Sequence, residues 1–274
     1  MLRVTEAEVA LYVDAVPSFP AFAKEVIEAA NDEAKDMGDI VAKIVKDATL
    51  AARVISHSNL AVNHLMNGRV CGTVNDAVSF LGMDRVRDIV VDTLLRAAFD
   101  VAVIPGGHHW DHATMVATGT RVVSRRCDVD PHVCHIAGLL HDIGQLWLQR
   151  RYAGPFQDAL QKSGEGMDIT RAEREVFGED HAFVGHALAK VWGLPRAIAD
   201  GIGYHHAPSH GESLVAHVVH LAEVLAAALR RDDEVAPIPA LDPMTVTTLG
   251  LSSGELTLML GEIEARSLFQ KAET

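Results

Sequence analysis

Residues 83–99 read MDRVRDIVVDTLLRAAF, and their apolar side chains return at helical spacing for about four turns. A half-buried strand would alternate apolar and polar residues at every second position. That alternation is almost absent here and along the rest of the chain. The expected fold class is therefore all-α.

The flanking segments carry the same signal. In TVNDAVSFLG (73–82), Thr73 and Asp76 have capping-box spacing and Gly82 supplies a C-terminal stop. In PAFAKEVIEAAN (20–31), Phe22, Val26, Ile27 and Ala30 share a helical face. So do Ile40, Val41, Ile44 and Val45 in DIVAKIV (39–45), and Leu50, Val54 and Ile55 in DATLAARVIS (47–56). Residues 1–105 thus read as an N-terminal helical subdomain with no chemistry of its own.

A break follows at VIPGGHHWDH (103–112), where Pro105, Gly106 and Gly107 punctuate the chain. Beyond it, helices are expected around 109–126, 132–148, 169–191, 195–206 and 212–230, forming a core over 106–232. The proline-bearing connection RRDDEVAPIPALDP (230–243) and the helix SSGELTLMLGEIEARSLF (252–269), with Ser252 and Glu255 at capping-box spacing, complete a C-terminal segment over 233–274.

Composition narrows the function classes. The 274 residues are 49% apolar and 22% charged, as in a soluble globular protein. The start, MLRVTEAEVALYVDAV, lacks the basic and apolar regions of a signal peptide, and no apolar stretch is long enough to span a bilayer. A cytoplasmic location without membrane association is expected. The three cysteines, Cys71, Cys127 and Cys134, lack paired spacing and read as small core residues. A formal charge of −13 opposes nucleic acid as a partner.

Histidine carries the chemical signal: of fifteen, thirteen lie between His108 and His220. In AGLLHDIGQLWL (137–148), His141 and Asp142 stand inside an apolar run. An ionised aspartate buried there costs several kcal/mol unless a cation or a hydrogen-bond network compensates. Metal coordination is one solution, and further donors fall on or beside other expected helices. They are His112 in HHWDHA, His181 in EDHAFVGHAL, the adjacent His205 and His206 in IGYHHAPSH, and Glu223 in HVVHLAEVL. Helical bundles build metal sites in this way, from side chains on facing helices. Mixed imidazole and carboxylate donors suit one or two ions of iron, manganese, zinc or nickel better than calcium. His108, His109, His132 and His210 read as solvent-facing, and His186, His217 and His220 as hydrogen-bonded core or outer-shell histidines. Trp110, Trp147 and Trp192 read as core anchors.

The runs VPSFPAF, IVKDATLAARVISHSN, TVNDAVSFLGMDRVRDIVV, HHWDHA, AGLLHDIGQLWL, EDHAFVGHALAKVWGLPRAIADGIGYHHAP and VVHLAEVLA resemble, in order and spacing, the HDOD family of bacterial signalling proteins. The resemblance covers nearly the whole chain. It implies a helical N-terminal subdomain packed on an HD-type helical core, related to the HD-GYP cyclic-dinucleotide phosphodiesterases. It also implies a regulatory role with a protein partner, and a nucleotide as a candidate ligand. By resemblance His112 matches the first histidine ligand, His141 and Asp142 the HD pair, His181 the next histidine, and His205 with His206 the double histidine. Glu223 stands where an aspartate closes the pattern.

Three departures separate the chain from HD-GYP enzymes. Gln145 replaces the lysine after HD-x-G, HHAPSHGE replaces the GYP segment, and Glu223 carries one methylene more than aspartate. Metal binding is therefore expected ahead of cyclic-dinucleotide hydrolysis. The competing expectations are metal-assisted phosphoester hydrolysis with Asp142 as the bridging or water-orienting carboxylate, a scaffold whose HD core is a structural relic, and a metal-linked ligand or redox sensor.

Overall fold

The computed structural model describes residues 2–30, 37–65, 70–99, 109–229 and 240–271. Among them the regular elements are all helices, with no strand. The expected break at Pro105 to Gly107 and most of the connection over 230–239 lie outside the described residues. Contacts gather 19–101 into one compact unit and residues up to 18, with those from 102 to 270, into another.

The chain opens with α1 (Glu6–Leu11), capped by Thr5, whose hydroxyl accepts from the Glu8 amide. The unit of residues 19–101 then follows as α2 (Ala21–Ala30), α3 (Met37–Lys46), α4 (Ala48–Leu65), α5 (Val74–Leu81) and α6 (Met83–Phe99). Both halves of the expected capping box are made at α5, between Thr73 and Asp76, and Gly82 at φ 81° ends that helix. Helix α6 packs on α2, α4 and α5, and buries Val86, Ile89, Val90 and Leu95. Val45, expected on the inner face of α3, is 54% exposed.

The second unit continues with α7 (His109–Ser124), α8 (Pro131–Leu140), α9 (Ile143–Arg151), α10 (Ala153–Gly164), α11 (Ile169–Phe177), α12 (His181–Val191), α13 (Arg196–Gly203), α14 (Leu214–Ala228), α15 (Pro243–Thr248) and α16 (Ser253–Lys271). Helix α7 packs on α8 and α14, α12 on α9 and α13, and α13 on α8 and α14. The first residues join this unit through backbone: the Leu2 and Val4 amides donate to the carbonyls of Val176 and Phe177 at 3.0 and 2.9 Å. Trp147, fully buried, donates its indole N–H to the Tyr12 carbonyl at 2.9 Å. No described helix is long and apolar enough to cross a membrane.

Three expected helices differ from those observed. The helix over 132–148 is two, α8 and α9, joined at His141 and Asp142. Apolar periodicity does not mark the joint, because Leu139, Leu140, Ile143 and Leu146 are buried on both sides of it. The helix over 169–191 is also two: Gly178, at φ 79°, ends α11, and the Asp180 carboxylate caps α12 by accepting from the Phe183 amide. The helix over 195–206 ends at Gly203, which leaves His205 and His206 in the turn beyond it. Helix α10 has no counterpart in the sequence expectation.

Candidate metal centre

All seven expected donors come from the second unit, and the fold brings them into two adjoining groups. Asp142, His181, His205 and His206 each offer an atom within 4.8 Å of the others, and His112, His141 and Glu223 do the same. His112 is on α7, His141 closes α8, Asp142 precedes α9, His181 opens α12, His205 and His206 follow α13, and Glu223 is on α14. The added methylene of Glu223 does not take it out of reach.

Asp142 is the hub. Its Oδ1 lies 3.1 Å from His181 Nε2 and 3.9 Å from His205 Nε2. Its Oδ2 lies 3.2 Å from His141 Nε2 and 3.8 Å from His112 Nε2. Each carboxylate oxygen therefore faces a different pair of imidazoles. His206 bridges the groups, with Nε2 at 3.0 Å from His181 Nε2 and Nδ1 at 3.9 Å from Glu223 Oε2.

The other ring nitrogens of His141 and His205 are held from behind. His141 Nδ1 lies 2.7 Å from the Gly138 carbonyl and His205 Nδ1 lies 2.6 Å from that of Ile202. A carbonyl can only accept, so Nδ1 carries a proton and Nε2 is the nitrogen turned inward, able to offer a lone pair in the neutral ring. The Nε2 atoms of both residues are buried and have no hydrogen-bond partner. Buried nitrogens converging on a carboxylate fit a cation.

The electrostatics agree. Burial disfavours the charge on Asp142, but His141 and His181 outweigh it and hold the carboxyl well below its ordinary range. Burial also opposes a proton on His181, yet Glu173 and Asp142 keep it well above the usual histidine value. His205 and His206 go well below that value, through burial first and the neighbouring imidazoles second. The Asp142 carboxylate is thus compensated by the protonated His181 ring, whose Nε2 proton an ion would displace.

Glu173 escaped the sequence reading. Its side chain is completely buried on α11, with Oε2 at 2.6 Å from His181 Nδ1 and 2.9 Å from the His181 amide nitrogen. It stands eight residues before His181, a spacing that crosses from one helix to the next and has no recognisable signature.

The other histidines divide as follows. His220 donates from Nδ1 toward the His205 carbonyl at 2.7 Å and accepts at Nε2 from the Asp242 amide at 2.8 Å, so it steadies the turn that carries the double histidine. His217 Nδ1 lies 2.9 Å from Thr245 Oγ1, and His186 Nε2 lies 3.4 Å from Asp200 Oδ1. His210 is exposed, whereas His132, expected to face solvent, is half-buried because the following residues of α8 enter the core. The side chains of His108 and His109 lie outside the described residues. Trp147 is a core anchor, and Trp110 and Trp192 are half-buried. Cys71 and Cys134 are buried, and burial pushes the thiol of half-buried Cys127 up to about 11.

Comparison with known proteins places this geometry. An HDOD domain protein from Geobacter sulfurreducens superposes with a TM-score of 0.78 at 24% identity, over 97% of this chain and 96% of that one. A candidate phosphohydrolase from Shewanella amazonensis SB2B does so with a TM-score of 0.76 at 24% identity, over 97% of both chains. A candidate signal transduction protein from Marinobacter aquaeolei VT8 gives 0.76 at 23% identity, over 99% of this chain and 61% of that one. At these identities the likeness is one of fold. Ribonuclease Y of Thermus thermophilus is 31% identical over 117 residues, which is 43% of this chain and only 16% of that enzyme. The HDOD domain family matches residues 16–208, well over half of the sequence. The chain belongs to the HDOD domain family.

Proposed function

We propose that the protein is a regulatory HDOD module of a bacterial signal-transduction pathway, carrying a divalent transition metal in its HD-like site and acting through a protein partner. The metal reading rests on one observation: the inward Nε2 atoms of His141 and His205 are buried without hydrogen bonds beside a buried carboxylate. His112, His141 and Glu223 would hold an ion on one side of Asp142, and His181, His205 and His206 on the other. The regulatory reading draws on family membership and on the name of the Marinobacter neighbour. Gln145, which replaces the lysine of the HD-GYP pattern and so removes a cation that could contact phosphate, supports it further.

A metal-dependent phosphohydrolase is the second reading, favoured by the two oxygens of Asp142 facing separate histidine pairs. A bound ion supplies Lewis acidity toward a phosphoryl oxygen. The chain's own part would be to hold Asp142 between the groups, with a nucleotide as the substrate class.

Elemental analysis of the purified protein tests the metal reading, with His141→Ala/Asp142→Ala as the variant. Losing ligands should cost at least the roughly 10- to 100-fold seen when an outer partner is lost. The helical circular dichroism signal should persist. Equal metal content in both proteins rules the site out. Metal-dependent hydrolysis of bis-p-nitrophenyl phosphate would favour the enzyme, and metal binding without turnover the regulator.

A further inference from the structure

The imidazoles of the cluster are held in two different ways. His141 and His205 lie at or just past the C-terminal ends of α8 and α13, where carbonyls are left over by the helix, and each takes one from three residues back. His181 is the first residue of α12, where the unused backbone groups are N–H donors. No leftover helix carbonyl is available to it there. Glu173 reaches across from α11 and supplies one, taking both the Nδ1 proton and the backbone N–H of His181 on the same oxygen.

That arrangement costs something. Glu173 is completely buried, and its second oxygen, Oε1, has no hydrogen-bond partner. A buried carboxylate with an unsatisfied oxygen is retained against a desolvation penalty. A helix N-terminus alone does not call for it, since Asp180 already caps α12.

We propose that Glu173 is the positioning residue of the centre: it fixes His181 with a proton on Nδ1, so that Nε2, the nitrogen facing Asp142, is the one left to bind an ion, completing the donor group of Asp142, His181, His205 and His206. The inference rests on the metal reading. It assigns Glu173 no contact with the ion or with substrate. A carboxylate behind an imidazole fixes the ring and increases its strength as a ligand, and its loss costs about 10- to 100-fold in metal affinity.

The test uses the full chain stripped of metal and titrated with Zn2+ in competition with a chromophoric chelator. Glu173→Gln should weaken zinc binding about 10- to 100-fold. In a His181→Gln background, whose amide can still donate to Glu173, the same substitution should have less than about a threefold effect, because the imidazole it orients is gone. Equal losses in both backgrounds would mean that Glu173 acts only on the scaffold, which overturns the proposal. Unchanged binding by Glu173→Gln overturns it too, and leaves the metal reading standing. If the unsubstituted chain takes up no zinc, both fall together. Should Glu173→Gln fail to fold, long-range proton–nitrogen NMR of the zinc-loaded unsubstituted chain decides. A His181 ring protonated at Nδ1 supports the proposal, and one protonated at Nε2 refutes it.

Discussion

At the scale of single residues, His141, His181 and His205 are each fixed by what lies behind the ring. His220 shows this outside the donor set. Its Nδ1 faces the His205 carbonyl and its Nε2 accepts the Asp242 amide, so both nitrogens are used only while the ring is neutral. Burial lowers its proton affinity, more than the His205 carbonyl and Asp242 raise it. An unfolded histidine titrates near about 6.5. Below that pH the unfolded chain therefore binds a proton that the folded ring resists, and stability is lost as pH falls from about 6.5 toward the depressed folded value. Glutamine can make both bonds without titrating. Urea unfolding should accordingly show the unsubstituted chain losing stability relative to His220→Gln between pH 7 and pH 5; parallel profiles would contradict this. The candidate donors could be named from the sequence because an aspartate inside an apolar run is unusual, that residue being almost never fully buried unless paired. Their supports were not, since a backbone carbonyl has no sequence signature and Glu173 looks like any charged helix residue.

At the scale of elements, close helix approach brings Asp142 to His181. A Cβ on Gly144 would lie 2.0 Å from the His181 carbonyl oxygen and 2.8 Å from the Gly185 amide nitrogen, so α9 and α12 meet backbone to backbone. Neither obstacle is a flexible side chain. Gly144→Ala should force α9 and α12 apart, lower stability by about 1–3 kcal/mol or more, and weaken metal binding. Gly154, at the start of α10, has nothing within 4 Å of an added Cβ, so Gly154→Ala should leave both properties near those of the unsubstituted chain. Thermal unfolding and zinc titration check both substitutions, and equal behaviour would count against the packing account. Helix caps at Thr73, Gly82 and Ser252 were readable because they depend on residues three or four apart. The joint between α8 and α9 was not, because buried residues on both sides hide a change of axis from a hydrophobic pattern.

At the scale of the molecule, an ion bound at the candidate centre would tie together helices that are far apart in sequence. The donors span His112 to Glu223 and belong to, or flank, α7, α8, α9, α12, α13 and α14. Ligand that binds only the folded state stabilises it, by about 2.7 kcal/mol at a hundred times the dissociation constant. Zinc should therefore slow amide hydrogen exchange across these helices in a concentration-dependent way, measured helix by helix. Exchange that ignores zinc would show that the donors do not share an ion. The sequence by itself determined the helical class, through a period of 3.6 set by backbone geometry, and it determined which side chains could bind a metal, through their chemistry. Only the tertiary structure decided that Asp142 stands between two histidine groups, that a buried glutamate holds His181, and that residues 2–18 pack with the histidine-bearing unit. Those features depend on contacts between residues distant in sequence, and local periodicity carries no record of which distant surfaces will meet.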